Sequence, residues 1–529
     1  MTANGLSALA IALLSLTAGV IGSTAPAAPT GAALAPVRNS VPAATVKGPI
    51  LPTSGISFLG STLFPLAKDG YEESEFFLSG TATSFKSAKA LNKNGQWTVT
   101  PAARAKYTTR VIVYRPINPA RFDGTVDVEW LNVTGGIDAA AAWLTGHPEM
   151  IRAGMAYVGV DAQEGGIYGQ AGSIATADGA GGIKQTDPAR YGSLVHPGDS
   201  FSYSIFEQAG AAVHASASKL LGGLKPTHVL AIGESQSAFR LVTYIDAIQP
   251  LSAGVYDGYL VYSRGGDGAN LSQSPQANIA TPTPTYIRTD LHVPVLLFET
   301  EADLLVLGDV VARQPATAEI RQWETAGTAH DDTYGLLYSR ADDGDGVPDV
   351  EAFESMLTPP KDPIPGIVDC PLPINAGSHT YELRAAIAAL NTWVGKGVAP
   401  PQSPRLDVAA NDKAFMTNAQ GNALGGIRPP QVVAAVAKLS GLGQPGTVAA
   451  PSAGQQTSSS AAVGAGALCG IFGTTVPFTA AQLSALYPTH SAFVKKWDSA
   501  TAAEVRQGYL LAPDARTLDR IAAASSIGG

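Results

Sequence analysis

The segment THVLAIGESQSAFR, residues 227 to 240, holds the residues best placed to do chemistry. An apolar run ends at Gly233, Ser235 follows, and a helical pattern begins at once. A strand that breaks into a helix through so tight a turn lifts the serine above the sheet edge, the layout of a nucleophile elbow. Gly233 is one of the small residues such a turn needs, and Ser237 stands where the usual Gly-x-Ser-x-Gly pattern has its second glycine.

A serine hydroxyl is a weak nucleophile until a base takes its proton, so the elbow calls for a histidine and a group that orients it. The strand VPVLLFE runs into Thr300, Glu301, Ala302 and Asp303, just past a strand's carboxyl end, where the active sites of open α/β sheets collect. Asp303 is the first choice of acid, Glu301 the second and Glu299, still inside the strand, the third. IRQWETAGTAHDD then reads as a strand, a small-residue turn and His330, one helix and one strand further on. The rival base is His379, which stands before a helix rather than after a strand. No spacing assigns a role to His196 in LVHPGD. For the oxyanion, the backbone N–H of Gln236 is one donor, and the loop after VEWLN supplies a second from Val133 or, failing that, Thr134. Gly135 and Gly136 let that backbone approach a ligand closely.

These residues need a scaffold, and the pattern supplies one. VDVEWLN, MAYVGVDA, HVLAIG, YDGYLVYS, VPVLLFE and IRQWETAG are apolar runs separated by helical stretches, which predicts a mostly parallel, doubly wound α/β sheet. YEESEFFLSGTATSF and TTRVIVYRP read as strands ahead of them. Ala238, Leu241, Val242 and Ile245 share the face of a helix that stops at Pro250. Leu383, Ala386, Ile387 and Leu390 mark another, ending near Gly395, and further helices are expected near 139–144, 480–487 and 512–524. The chain divides into a signal peptide (1–30), a linker (31–50), a core with insertions (51–400) and a C-terminal extension packed on it (401–529). Cap segments are expected in 162–200 and after 331. Residues 440–465, rich in Gly, Ser, Ala, Pro and Gln, read as a mobile loop.

Composition narrows the functional classes. Of the 529 residues 15% are charged, and the net charge is −9, so no extended basic surface exists to neutralise phosphates and nucleic acid is excluded as a partner. The run Leu6 to Ile21 is apolar but interrupted by Ser15, Thr17 and Gly19, a poor membrane span and a better export signal followed by small residues. A secreted protein is the expectation. Two cysteines, Cys370 and Cys469, then suggest one disulfide closing a loop of about 100 residues, with ~4–5 kcal/mol available from chain entropy. In RADDGDGVPDVEAF, Asp343, Asp345 and Asp349 cluster around glycine as calcium ligands do, yet Ala341 and Ala352 fall where an EF-hand needs carboxylates. The segment reads as a solvated acidic turn, with a weak calcium site near Asp343, Asp345 and Asp349 as the alternative.

EWLNVTGG, GESQSA, TEAD, WETAGTAHDD, GNALGGIRPP, CGIFGTTVPF and LYPTHSAFVKKW together resemble the secreted α/β-hydrolase-domain family of serine ester hydrolases, over nearly everything after residue 50. The resemblance implies the α/β-hydrolase fold, a Ser235–Asp303–His330 triad and carboxylic ester hydrolysis without a cofactor; it does not supply the substrate, a small-molecule or polymeric ester, and no metal site is expected in the catalysis. Acyl transfer or amide cleavage on the same triad, and an exported binding protein that keeps only the fold, are the alternatives.

Overall fold

A computed structural model describes residues 40–51, 61–169, 182–252, 254–360, 363–365, 368–445 and 468–529. The expected signal peptide lies outside these residues, as do most of the loop 440–465 and part of the excursion 162–200. Among the described residues no helix is long and apolar enough to cross a membrane.

Nine strands form the central sheet: β1 (Thr45–Lys47), β2 (Tyr71–Lys86), β3 (Thr100–Pro116), β4 (Thr125–Trp130), β5 (Ala156–Val160), β6 (His228–Glu234), β7 (Gly258–Tyr262), β8 (Val295–Thr300) and β9 (Ile320–Thr325). Their order is β1-β2-β3-β5-β4-β6-β7-β8-β9. Pairings from β5 through β9 are parallel, and those joining β1, β2, β3 and β5 are antiparallel. This is the mostly parallel α/β sheet that the alternation predicts, extended at one edge by the antiparallel strands β1 to β3.

The parallel strands are buried at nearly every position because both sheet faces are covered. Val229 and Ala231 of β6 point into a core completed by Val126, Val128, Phe206, Leu241 and Val242, beneath the helices Ser202–Ala215 and Gln236–Thr243. Their neighbours Leu230 and Ile232 point the other way, to Leu260, Leu296, Phe298, Trp143 and Leu390 under the helices Ala141–Ala153 and Thr380–Lys396. Each such side chain contributes ~1.5–3 kcal/mol on leaving water. Two opposed cores of this kind fix the sheet, and with it the positions of its strand ends.

The tail carries its own cluster, in which Phe493, Trp497, Leu518 and Ile521 pack with Phe353 and Val436. Besides the expected helices Ala480–Leu486 and Ala512–Ala524, it contains His490–Gln507, which sequence reading missed. That helix buries Phe493, Trp497, Ala500, Thr501 and Glu504 on one face and is capped by the Thr489 side chain accepting from Ala492 N. The acidic segment is part turn and part helix. Asp349 lies in a helix, Val347–Leu357, and accepts from the Tyr381 hydroxyl at 2.9 Å, while half-buried Asp343 and exposed Asp345 each accept from an N–H two residues ahead. The three carboxylates therefore have separate partners, and no group of three or more potential metal ligands exists among the described residues.

Candidate active site

β6 ends at Glu234, and Ser235 N donates to Tyr262 O at 3.0 Å, so the backbone is held by its neighbouring strand up to the turn. Ser235 itself has φ 53° and ψ −120°, a conformation that costs a non-glycine residue ~1–3 kcal/mol and that places its side chain outside both strand and helix. Gly233 is required opposite: a Cβ there would lie 2.7 Å from Ser237 O. Ser237 is itself fully buried, which is why a small residue serves where glycine is customary.

Asp303 and His330 arrive from the ends of β8 and β9. Thr300 donates from both N and Oγ1 to Asp303 Oδ2, each at 2.7 Å, leaving Oδ1 for the Nδ1 of His330 at 2.6 Å. On the far side of the ring, Nε2 is 2.7 Å from Ser235 Oγ. The three side chains chosen from their order in the sequence thus form one hydrogen-bonded chain. Asp303 is fully buried and His330 only 5% exposed. Burial opposes charge on both, yet the pair reverses it: His330 and the Thr300 donors hold the Asp303 carboxyl below its usual range, and Asp303, then Glu234, raise the imidazole to about 9.

The rival residues have other partners. Glu301 accepts from Gly327 N at 2.6 Å and Gly441 N at 2.9 Å, pinning the turn that precedes His330, and burial pushes it up to about 7. Glu299 is buried within β8. His379 Nε2 bonds the Tyr262 hydroxyl and Nδ1 lies 3.1 Å from Asp332 Oδ2, so neither nitrogen is directed at Ser235. His196 accepts Gly198 N on Nδ1 and so donates from Nε2 to Ala162 O at 3.0 Å, a structural clip.

The loop after β4 is closed by reciprocal bonds between Asn132 and Ala139. Within it, Thr134 N is taken by Asn132 Oδ1 at 2.8 Å, whereas the N–H groups of Val133 and Gln236 have no hydrogen-bond acceptor among the described residues. Asn132 Nδ2 reaches across to Glu234, to its O at 3.2 Å and its Oε2 at 2.8 Å, tying loop to elbow. Behind the loop, Glu129 accepts from Ala142 N at 2.9 Å and Trp143 N at 3.1 Å, capping a helix whose own N-cap, Ala140, has no suitable side chain. Asn132, Glu129 and Glu234 were missed by sequence reasoning. The Asn before Val133 was a local cue, since asparagine accepts readily from the N–H two residues on, but the two glutamates act across strands and leave no local signal.

Cys370 and Cys469 form a disulfide, and the adjoining segment touches the site, where His330 N donates to Ile471 O at 3.1 Å.

A family model described as an alpha/beta hydrolase domain matches residues 42–520. No curated protein matches. Among solved structures, a fungal esterase of Rhizomucor miehei is 14% identical, covers 46% of this chain and 74% of its own, and has a TM-score of 0.26. An esterase of Pseudomonas putida ECU1011 gives 12%, 51%, 80% and 0.26, and a glucuronoyl esterase of Solibacter usitatus 10%, 53%, 83% and 0.24. Superpositions this loose say nothing about substrate.

Proposed function

The chain belongs to the alpha/beta hydrolase domain family, and on that footing we propose that it is a secreted serine hydrolase that cleaves carboxylic esters through an acyl-enzyme. The observation that carries this reading is the unbroken line from Ser235 Oγ through both nitrogens of His330 to Asp303, at 2.7 and 2.6 Å. Such a line has little structural use beneath a half-exposed serine held in a costly conformation, and it is what a hydroxyl needs to become a nucleophile.

In this mechanism Ser235 Oγ attacks the ester carbon while its proton passes to His330 Nε2. Asp303 accepts from Nδ1–H, fixing the tautomer and stabilising the imidazolium. The carbonyl oxygen, now negative, faces the free N–H groups of Val133 and Gln236, donors of a kind worth ~3 kcal/mol each. Collapse expels the alkoxide, which takes the proton from Nε2, and water then repeats the sequence on the acyl-enzyme.

A panel of p-nitrophenyl esters of increasing acyl length, run on wild type and Ser235→Ala, tests the proposal and ranks the acyl groups. Hydrolysis lost in the variant, with a fluorophosphonate adduct on Ser235 of the wild type, supports it. Hydrolysis that survives, or folded wild type that takes no adduct, overturns it.

A further inference from the structure

Glu234 is unused by the triad and touches its central atom. The last residue of β6, it is 7% exposed, and its Oε1 lies 3.2 Å from His330 Nε2, the same nitrogen that holds the Ser235 hydroxyl. Its other oxygen is fixed by Asn132 Nδ2. A carboxylate in this position competes with Ser235 for the Nε2–H of the imidazolium and favours the charged ring. While that proton stays, Nε2 has no lone pair to offer a hydroxyl.

Resting on the serine hydrolase reading above, we propose that Glu234 is a positioning residue that retains the proton on His330 Nε2 and so sets the pH above which Ser235 can be deprotonated. The surroundings suit this part. Facing Glu234 are His330 and Asp331 from the turn after β9, Asp303 from the end of β8, Glu129 from β4 and Tyr262, its register partner on β7. The Tyr262 hydroxyl is occupied by His379, which Asp332 backs, so the cation that Glu234 itself pairs with is His330. Burial pushes Glu234 up to about 7 and Asp331 up to about 6, so that both are ionised on the alkaline side of neutrality, where the imidazole is still held charged.

The test tracks the rate at which a fluorophosphonate modifies Ser235 in the full chain from pH 5 to 10, in wild type, Glu234→Gln and Ser235→Ala. The wild-type rate is expected to climb along a limb above the ordinary imidazole value. In Glu234→Gln the limb moves down by about one unit or more, so the variant is modified roughly ten-fold faster on the wild type's acid side. A melting curve establishes folding. If the amide variant does not fold, Glu234→Asp, which draws the carboxylate back by one methylene, is expected to move the limb down by less. Coincident limbs in wild type and a folded variant overturn the role of Glu234. Modification that persists in Ser235→Ala defeats the hydrolase reading instead, and the two failures are distinct.

Discussion

Replacing Asp303 by asparagine exchanges one carboxylate oxygen for an amide nitrogen, and the neighbouring donors decide which one. Thr300 offers two, N–H and Oγ1–H, to the position of Oδ2, so the new amide must place its oxygen there. Its NH2 then faces His330 Nδ1, which can only accept, and the imidazole proton is forced onto Nε2. In that tautomer Nε2 cannot take the Ser235 proton. The electrostatic part is set by the imidazole, raised from 6.5 to about 9, with Asp303 the largest favourable influence against burial. That shift is net of burial and shared with Glu234 and Asp331, and it corresponds to about 3 kcal/mol of imidazolium stabilisation, on the order of a 10²-fold effect on a step that forms imidazolium. The forced tautomer adds to it, and the same exchange in a comparable triad costs ~10⁴ in kcat. Asp303→Asn is therefore expected to lower kcat for a p-nitrophenyl ester by about 10³- to 10⁴-fold with KM little changed. Steady-state kinetics on folded protein decides, and a loss smaller than about 30-fold would mean that neither the tautomer nor the charge of Asp303 governs the base.

Other parts of the fold set three more expected outcomes. Gly233→Ala forces a Cβ to within 2.7 Å of Ser237 O, so the elbow must shift; a stability loss of ~1–3 kcal/mol by urea titration and a fall in kcat/KM of at least ~10-fold are expected. Cys370→Ser opens the loop that ends beside Ile471, and should lower stability by up to ~4 kcal/mol and reduce kcat, both read against wild type with and without reductant. Glu207 is raised from 4.5 to about 7 by burial, which the Ser252 hydroxyl donating to its carboxyl only partly offsets. The folded state then binds more protons than the unfolded one between those values, so stability is fully present below about 4.5 and declines as pH rises through about 7, by up to ~3 kcal/mol. Glu207→Gln should flatten the pH dependence, and chemical denaturation at pH 5 and pH 8 measures it.

Sequence and structure agree most closely where function depends on strand ends. Ser235, Asp303 and His330 could be chosen because each comes after an apolar run, and the sheet brings successive strand ends to one rim. The choice between Val133 and Thr134 could not be made from local pattern, since it turns on the Asn132 side chain occupying one N–H and not the other. Glu129 and Glu234 were illegible for a related reason, because each works on atoms that only the folded chain brings near, Glu129 on the start of the helix after β4 and Glu234 on Asn132 and His330. The helix His490–Gln507 had a cap and an apolar face, but charged and small residues dilute the stripe.

Residues 401–441 finish the last strand of the sheet. Ile427 exchanges backbone bonds with Glu324 and Ala326 beside β9, Trp323 Nε1 donates to Pro401 O, and Arg405 pairs with Glu324. A gene trimmed after residue 400 to obtain a smaller catalyst would bare that edge to pairing with other chains, and would also remove the Gly441 and Ile471 contacts that brace Glu301 and His330. The shortest useful expression product accordingly has to extend well into the tail, and insolubility of shorter ones would reflect an open sheet rather than a faulty active site.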